Sequence, residues 1–403
     1  SSENFVWILI IEIEKMNLEK YGYWAVPGKK FYKKVDALVY ATEHSMPVEF
    51  VYHNSVFEDF DRSQLGKTSL ATLYKERALQ LREKYDYLVL YFSAGSDSYN
   101  ILTTFIDNGI KLDEVCVRWP KTLRDNKFYT PNTHDTSARN WCSEWDYSVK
   151  PALEWIASNH PNIKITITDY VADRTKHDVE NLFSQLWAGA AGGMLFSSNF
   201  SESEEKLLLQ NKTVGNIYGV DKPILIYNQN TSRVFMTFSD NALKEIGVNP
   251  LNPNGSEPFY WTPDMPELAF AQAYSICQYY EANHNDRLYM WLYGKPAMSA
   301  DGKIKNQYHQ DLGRKILYPN WINSFQSDKP SSPIGADKFF WFYENAELNS
   351  LKEYFIGNLL DRIKKISPEF LQQISTFENN TVARYKTLCS RLHYVTTLSK
   401  TPK

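Results

Sequence analysis

Apolar residues follow two rhythms along this chain, and the changes between them mark its elements. Tyr87-Leu-Val-Leu-Tyr-Phe92 is a continuous apolar run of strand composition, and the next six residues, Ser93-Ala-Gly-Ser-Asp-Ser98, are small and mostly polar. After them Ile101, Leu102, Phe105 and Ile106 recur at helical spacing until Gly109, where a helix would stop. Leu112–Trp119 and Ile163–Thr168 read as strands, with a helix expected between Trp145 and His160. Strand, helix, strand, helix, strand in that order predicts an α/β fold, a parallel twisted sheet with helices on both faces. Ligands of such sheets bind at the carboxyl ends of the strands, and Ser93–Ser98 follows one of those ends.

The flanking patterns predict smaller units. Pro27-Gly28 sits inside a hairpin signal, residues 34–44 read as a helix, and Val48–Tyr52 as a strand. Leu70, Leu73, Tyr74, Leu81 and Tyr85 share one helical face, with Arg77 and Arg82 expected elsewhere on that helix. Downstream, Asp178–Trp187 reads as a helix, and Ile224–Tyr227 and Val234–Phe238 as strands. Residues 249–266 are rich in Pro, Asn and Gly and mark the best boundary, followed by helices expected at 266–282 and 344–366. The expected division is a small α+β region at 16–66, an α/β domain at 67–250, and a mainly helical, substrate-side region at 251–403. Residues 1–15, ahead of Met16, read as upstream or expression-derived sequence, or as an extra edge strand.

Composition narrows the function classes. With 43% hydrophobic and 23% charged residues among 403, the chain is expected to fold around a sizeable core. A net charge of −3 argues against broad electrostatic capture of nucleic acid. The apolar run Phe5–Ile11 is too short to cross a bilayer, so no membrane association is expected. Cys116, Cys142, Cys277 and Cys389 have no C-x-x-C spacing, which argues against a disulfide framework or a structural zinc and for the cytoplasm.

An apolar strand, a small polar turn and a helix start form a phosphate-binding layout, because the first N–H groups of a helix are unpaired and its dipole favours an anion. The segment Ser93-Ala94-Gly95-Ser96-Asp97-Ser98 resembles the S-G-G-x-D-S signature of the PP-loop ATP pyrophosphatases and departs from it at Ala94 alone. The resemblance implies that Ser93, Ala94, Gly95, Ser96, Asp97 and Ser98 bind ATP, which is cleaved between its α and β phosphates. It also implies Mg²⁺ as a cofactor. A carboxylate inside a phosphate loop repels the ligand unless a metal intervenes, so Asp97 is the candidate catalytic and metal-binding residue. The competing reading is a serine-rich turn that caps a helix, with Asp97 as the cap. Ala94 is tolerable at negative φ and a problem at positive φ.

Asp221-Lys222, held between Gly219 and Pro223, is the second candidate. Lys222 would offset charge on departing pyrophosphate as a catalytic residue, and Asp221 would share Mg²⁺. The alternative is a turn with a solvated ion pair. Arg118, Lys121 and Arg124 would meet an acidic substrate or phosphate, or form a solvated positive face. Gly189, Gly192 and Gly193 allow close ligand approach or tight helix packing, and Tyr260–Asp264 a pocket wall or boundary packing.

Among branches of that family, Leu388-Cys389-Ser-Arg-Leu-His393 lacks the Glu and the spacing of the reductases, and the paired cysteines of the thiolation enzymes are absent. Neither Ser1 nor the residue after Met16 is the cysteine of a built-in glutaminase. The resemblance therefore points to an asparagine-synthetase-like adenylating ligase acting on a small-molecule substrate or nucleotide. The chain is also similar to PP-loop proteins of tailed bacteriophages, which would place it in the host cytoplasm. A nucleobase- or nucleotide-modifying enzyme and a non-catalytic nucleotide-binding or interaction protein remain as alternatives.

Overall fold

The computed structural model describes residues 18–32, 43–119, 145–169, 201–219, 224–228, 230–240, 252–283, 315–318 and 388–399, with Ala37, Tyr40, Ala41, Leu243, Ile246 and Gly313. The expected helices at 178–187 and 344–366, the glycines at 189–193, and Asp221 and Lys222 lie outside the described residues, as do residues 1–15.

Three sheets organise the described residues. The first is antiparallel, in the order β2 (Lys29–Phe31), β1 (Tyr23–Val26), β3 (Glu49–Val51). Gly28, at φ +80°, turns its hairpin as expected. A short helix α1 (Asn54–Glu58) leads to α2 (Leu70–Lys84), which starts where Ser69 Oγ accepts the Thr72 N–H at 3.1 Å. The central sheet then takes β4 (Tyr87–Tyr91), helix α3 (Ser96–Asp107), β5 (Glu114–Trp119), helix α4 (Lys150–Asn159) and β6 (Lys164–Asp169). After α5 (Glu202–Leu209), strand β7 (Val214–Tyr218) pairs with β4 on its other side. The third sheet holds β8 (Ile224–Asn228) and β9 (Arg233–Thr237).

The chain beyond 250 shares these sheets. Strand β10 (Ser256–Pro258) extends the central sheet parallel to β7, ahead of helix α6 (Pro266–Asn283). Strand β11 (His393–Thr397) pairs antiparallel with β9, in the region expected to be mainly helical. The turn-rich composition of 249–266 reflects tight connections around β10, so the expected boundary at 250 does not separate the sheets.

The five-stranded sheet is all-parallel, in the order β10-β7-β4-β5-β6. Chain order proceeds outward from β4 to β5 and β6, then restarts on the other side with β7 and β10. The reversal between β4 and β7 is a topological switch point, where open α/β sheets form their ligand crevice. Residues in register on parallel strands share a face. One face therefore carries the buried apolar side chains Leu88, Leu90, Val115, Val117 and Ile217. Helix α2 lies against it, where Tyr85 and Leu88 leave no room for a side chain at Gly215. The other face carries Tyr87 and Tyr91, Glu114, Cys116 and Arg118, Thr166 and Thr168, and Asn216 and Tyr218. Helix α5 covers part of it through Glu204, which accepts the Asn216 amide at 2.8 Å.

Arg77 departs from the expectation for α2. It is fully buried, because Leu73, Arg77 and Leu81 are four residues apart and share one stripe. Glu257 on β10 supplies its counter-charge at 3.0 Å. Among the described residues no helix is long and apolar enough to cross a membrane, and Cys116 and Cys277 are buried free thiols.

Candidate active site

The signature loop leaves the carboxyl end of β4 at the switch point, as its sequence position implied. Its chain is folded around two serines. The Ser93 N–H donates to Ser98 Oγ at 3.3 Å, the Gly95 N–H to Ser93 Oγ at 3.3 Å, and Ser98 Oγ to the Gly95 carbonyl at 3.2 Å. Helix α3 then begins with Gly95 at the cap position and no side chain capping it. The reading in which serine or Asp97 caps this helix is therefore corrected: Asp97 lies within the first turn. The first intrahelical bond runs from the Tyr99 N–H to the Gly95 carbonyl at 2.9 Å, and among the described residues the N–H groups of Ser96 and Ser98 have no acceptor.

Ser96 distinguishes this loop from an ordinary helix start. Its side chain is only 3% exposed, and its hydroxyl has no hydrogen-bond partner. A buried, unpaired hydroxyl costs about 1–3 kcal/mol, which a protein retains where a ligand or water completes the bond. The other side of the crevice is equally specific. A methyl group on Gly219, just after β7, would stand 3.1 Å from the Ser98 nitrogen and 3.3 Å from the Asp97 carbonyl carbon. Only glycine lets the end of β7 approach the first turn of α3 this closely.

Ala94 adopts the conformation that its sequence made troublesome. Its φ is +52°, in the left-handed region, with its methyl fully buried and its carbonyl accepting from Ser148 Oγ at 3.2 Å. An alanine there costs about 1 kcal/mol relative to an unstrained residue. Ala94→Gly relieves that strain but adds chain entropy to the unfolded state and removes a packed methyl, so unfolding free energy should move by less than about 1 kcal/mol. Ala94→Val adds a branched side chain at positive φ in a filled site and should cost roughly 2–4 kcal/mol. Urea melts of the two variants compare these directly, and equal costs would mean that the left-handed conformation does not limit this position.

Two tyrosines far along the chain hold Asp97, and sequence reasoning missed one of them. The Tyr260 hydroxyl donates to the Asp97 carbonyl at 2.8 Å and receives the Asn100 amide at 3.0 Å. The Tyr318 hydroxyl donates to Asp97 Oδ1. Burial, and next the Asp97 charge, push the Tyr318 phenol well above its ordinary range, so it stays a donor. Tyr74 edges against Tyr260 at 5.7 Å and donates to the Leu317 carbonyl at 2.8 Å, tying α2 to the same cluster.

On the polar face beside the crevice, Tyr91 and Tyr218 stack at 4.7 Å and 3°. The Arg118 guanidinium lies 4.2 Å over the Tyr91 ring and donates to the Tyr218 hydroxyl at 3.1 Å. Of the sequence candidates, Ser93–Ser98 and Arg118 are thus brought to neighbouring strand ends, whereas Asp221 and Lys222 lie outside the described residues.

The residues present fit a phosphate chain. Two N–H groups without an acceptor among the described residues and a buried hydroxyl without a partner stand in the first turn of α3, at a switch point. Asp97 offers a carboxylate for Mg²⁺, which needs only one or two protein carboxylates when phosphates supply the rest. Among the described residues no group of three or more His, Cys, Asp or Glu side chains could hold a metal by itself. Compared with protein-family models, with curated proteins and with solved structures, the chain matches none of them.

Proposed function

We propose that the protein binds ATP at Ser93–Ser98 and cleaves it to AMP and pyrophosphate to activate a substrate oxygen. The observation that carries this reading is the buried, unpartnered Ser96 hydroxyl in an uncapped helix start at the switch point of a parallel sheet. The N–H groups of Ser96 and Ser98 and the Ser96 hydroxyl would donate to the β and γ phosphates. Mg²⁺, when bound, would neutralise charge on the departing pyrophosphate, with Asp97 as one ligand and Asp221 as the candidate second. Tyr260 and Tyr318 fix Asp97 in orientation. A substrate carboxylate or carbonyl oxygen attacks the α phosphorus, its bond to pyrophosphate breaks, and ammonia or an amine then displaces AMP. Lys222 is the candidate cation for the leaving pyrophosphate. Catalysis of this kind is mostly positioning and charge stabilisation.

Ser96→Ala separates this reading from its rival. Removing a buried hydroxyl that has no partner should leave stability unchanged or raise it by about 1 kcal/mol. If that hydroxyl serves a phosphate, affinity for ATP with Mg²⁺ should fall roughly tenfold in the same variant. Calorimetric titration and a thermal melt measure both quantities, and Asp97→Ala should suppress AMP formation. The left-handed Ala94 favours a second reading, a nucleotide-binding or interaction protein without catalysis. That reading gains if ATP binds and no AMP appears with any acceptor. A chain that does not bind ATP at all, with Ser96→Ala and Asp97→Ala both silent, would exclude both.

A further inference from the structure

The polar face of the central sheet holds a cation that has no counter-charge among the described residues. Arg118 sits near the carboxyl end of β5, and continuing the pairing of Tyr91 with Cys116 brings it level with Ser93. No carboxylate among the described residues lies within ion-pair distance of it, whereas two arginines of α2 are matched. Arg77 has Glu257 at 3.0 Å, and Arg82 has Asp113 at 2.6 Å. The carboxylates of the same face bond other groups, Glu204 through Oε1. Glu114 accepts from the Tyr87 and Ser201 hydroxyls, at 2.9 and 2.5 Å, and Glu204 accepts from the amides of Asn216 and Asn252, at 2.8 and 2.9 Å.

Three unsatisfied groups on and beside Arg118 are able to donate, while the unsatisfied acceptor of the same face, Asn216 Oδ1, sits two residues back from Tyr218 on β7. Its Nε is buried and has no partner, and the same holds for the Tyr91 hydroxyl and the Thr166 hydroxyl. Register puts Tyr218, Tyr91, Cys116 and Thr166 in one row across four strands, with Arg118 and Thr168 in the next row toward the carboxyl ends. A half-buried charge without a counter-charge and buried unpaired hydroxyls are each costly. The group that would satisfy them is one with several acceptor lone pairs and negative charge.

We propose that Arg118, Tyr91 and Thr166 form an oxyanion subsite, which takes the carboxylate or phosphate group of the molecule activated at the neighbouring loop. The assignment of that molecule rests on the ATP reading above, whereas anion binding at Arg118 does not. Tyr218 is a positioning residue here, because its hydroxyl accepts one face of the guanidinium and its ring backs Tyr91. The Arg118 guanidinium offers a planar fork to a carboxylate or a phosphate.

The test uses the full chain, succinate and inorganic phosphate as separate probes, and calorimetry alongside thermal melts. The expected result is a saturable response to at least one probe that weakens at least tenfold in Arg118→Met, weakens less in Arg118→Lys, and persists in Ser96→Ala. A response to succinate alone identifies an acid, and one to phosphate alone a phosphate ester. ATP binding should survive Arg118→Met, so that its loss only in Ser96→Ala reports on the loop and not on this subsite. If Arg118→Met does not fold, Arg118→Lys carries the comparison, since it keeps the charge and loses the planar fork. Responses equal in wild type and both Arg118 variants, or no saturable response to either probe, overturn the proposal.

Discussion

Glu257→Gln is expected to lower the unfolding free energy by about 3–5 kcal/mol, the largest effect of any single substitution considered for this chain. Glu257 is fully buried on β10 and gathers three cations. One carboxylate oxygen accepts from Lys20 at 2.8 Å, from Lys84 at 2.9 Å and from the Tyr85 hydroxyl, while the other accepts from Arg77 at 3.0 Å. Glutamine keeps the shape but leaves the buried Arg77 with only the exposed Asp264 carboxylate, 3.9 Å away, as a charge partner. Burial alone would push the Glu257 carboxyl up, but the charges of Lys20 and Arg77 outweigh it and hold it at about 2, against an ordinary 4.5. A carboxyl depressed by folding contributes stability above its unfolded value and loses it as pH falls. The contribution, about 3 kcal/mol, should therefore be complete above pH 4.5 and disappear toward pH 2. Denaturant midpoints at constant slope measure the loss, and the paired variant Arg77→Met with Glu257→Leu should recover much of it. A midpoint unchanged in Glu257→Gln would mean that the three cations are already solvated. The network also reaches the site. Three residues after Glu257 comes Tyr260, whose hydroxyl holds the Asp97 carbonyl, so nucleotide affinity should fall with the loosened strand.

The legible part of this protein is its local part. The apolar run, the small polar turn and the amphipathic helix of 87–109 became β4, the loop and α3, because each is encoded by contiguous residues and packs in chain order. Gly109 ends the helix at φ +63°, as its position suggested. What was hidden depends on partners far away. Arg77 looked like a solvent residue because its counter-charge is 180 positions distant, and Tyr318 reaches Asp97 across 221 positions. The one available signal for Arg77 was its place four residues from both Leu73 and Leu81. Strand β11 was missed for a related reason, since five residues pair only through contact with β9 and carry no helix or turn punctuation. Ala94 is the instructive middle case. Its sequence posed the question of backbone sign, and only the backbone itself, at φ +52°, answers it.

Stability should also fall between pH 6.5 and pH 4, and His393 is the reason. It lies on β11 with 1% exposure, against the rings of Phe57 at 5.5 Å and Phe238 at 5.9 Å, and neither ring nitrogen has a hydrogen-bond partner. Burial pushes its pKa down to about 4 from 6.5; nearby Glu58 opposes this, and Arg62 and Arg391 add to it. The sign follows from proton counting. Below pH 6.5 the unfolded chain binds a proton that the folded chain refuses until pH 4, so acid favours unfolding by up to about 3 kcal/mol across that window. Above pH 6.5 the effect is absent. His393→Phe removes the titrating group and an unpaired N–H from an aromatic site of similar volume, so stability at pH 7 should hold or rise by about 1 kcal/mol. Denaturant midpoints at pH 7, 5.5 and 4.5 should decline in the wild-type chain and stay flat in the variant. An equal decline in both would assign the acid sensitivity elsewhere. The window lies above that of Glu257, so the two variants divide the acid limb between them: mild acid acts where β11 closes the third sheet, and strong acid acts where β10 anchors the central one.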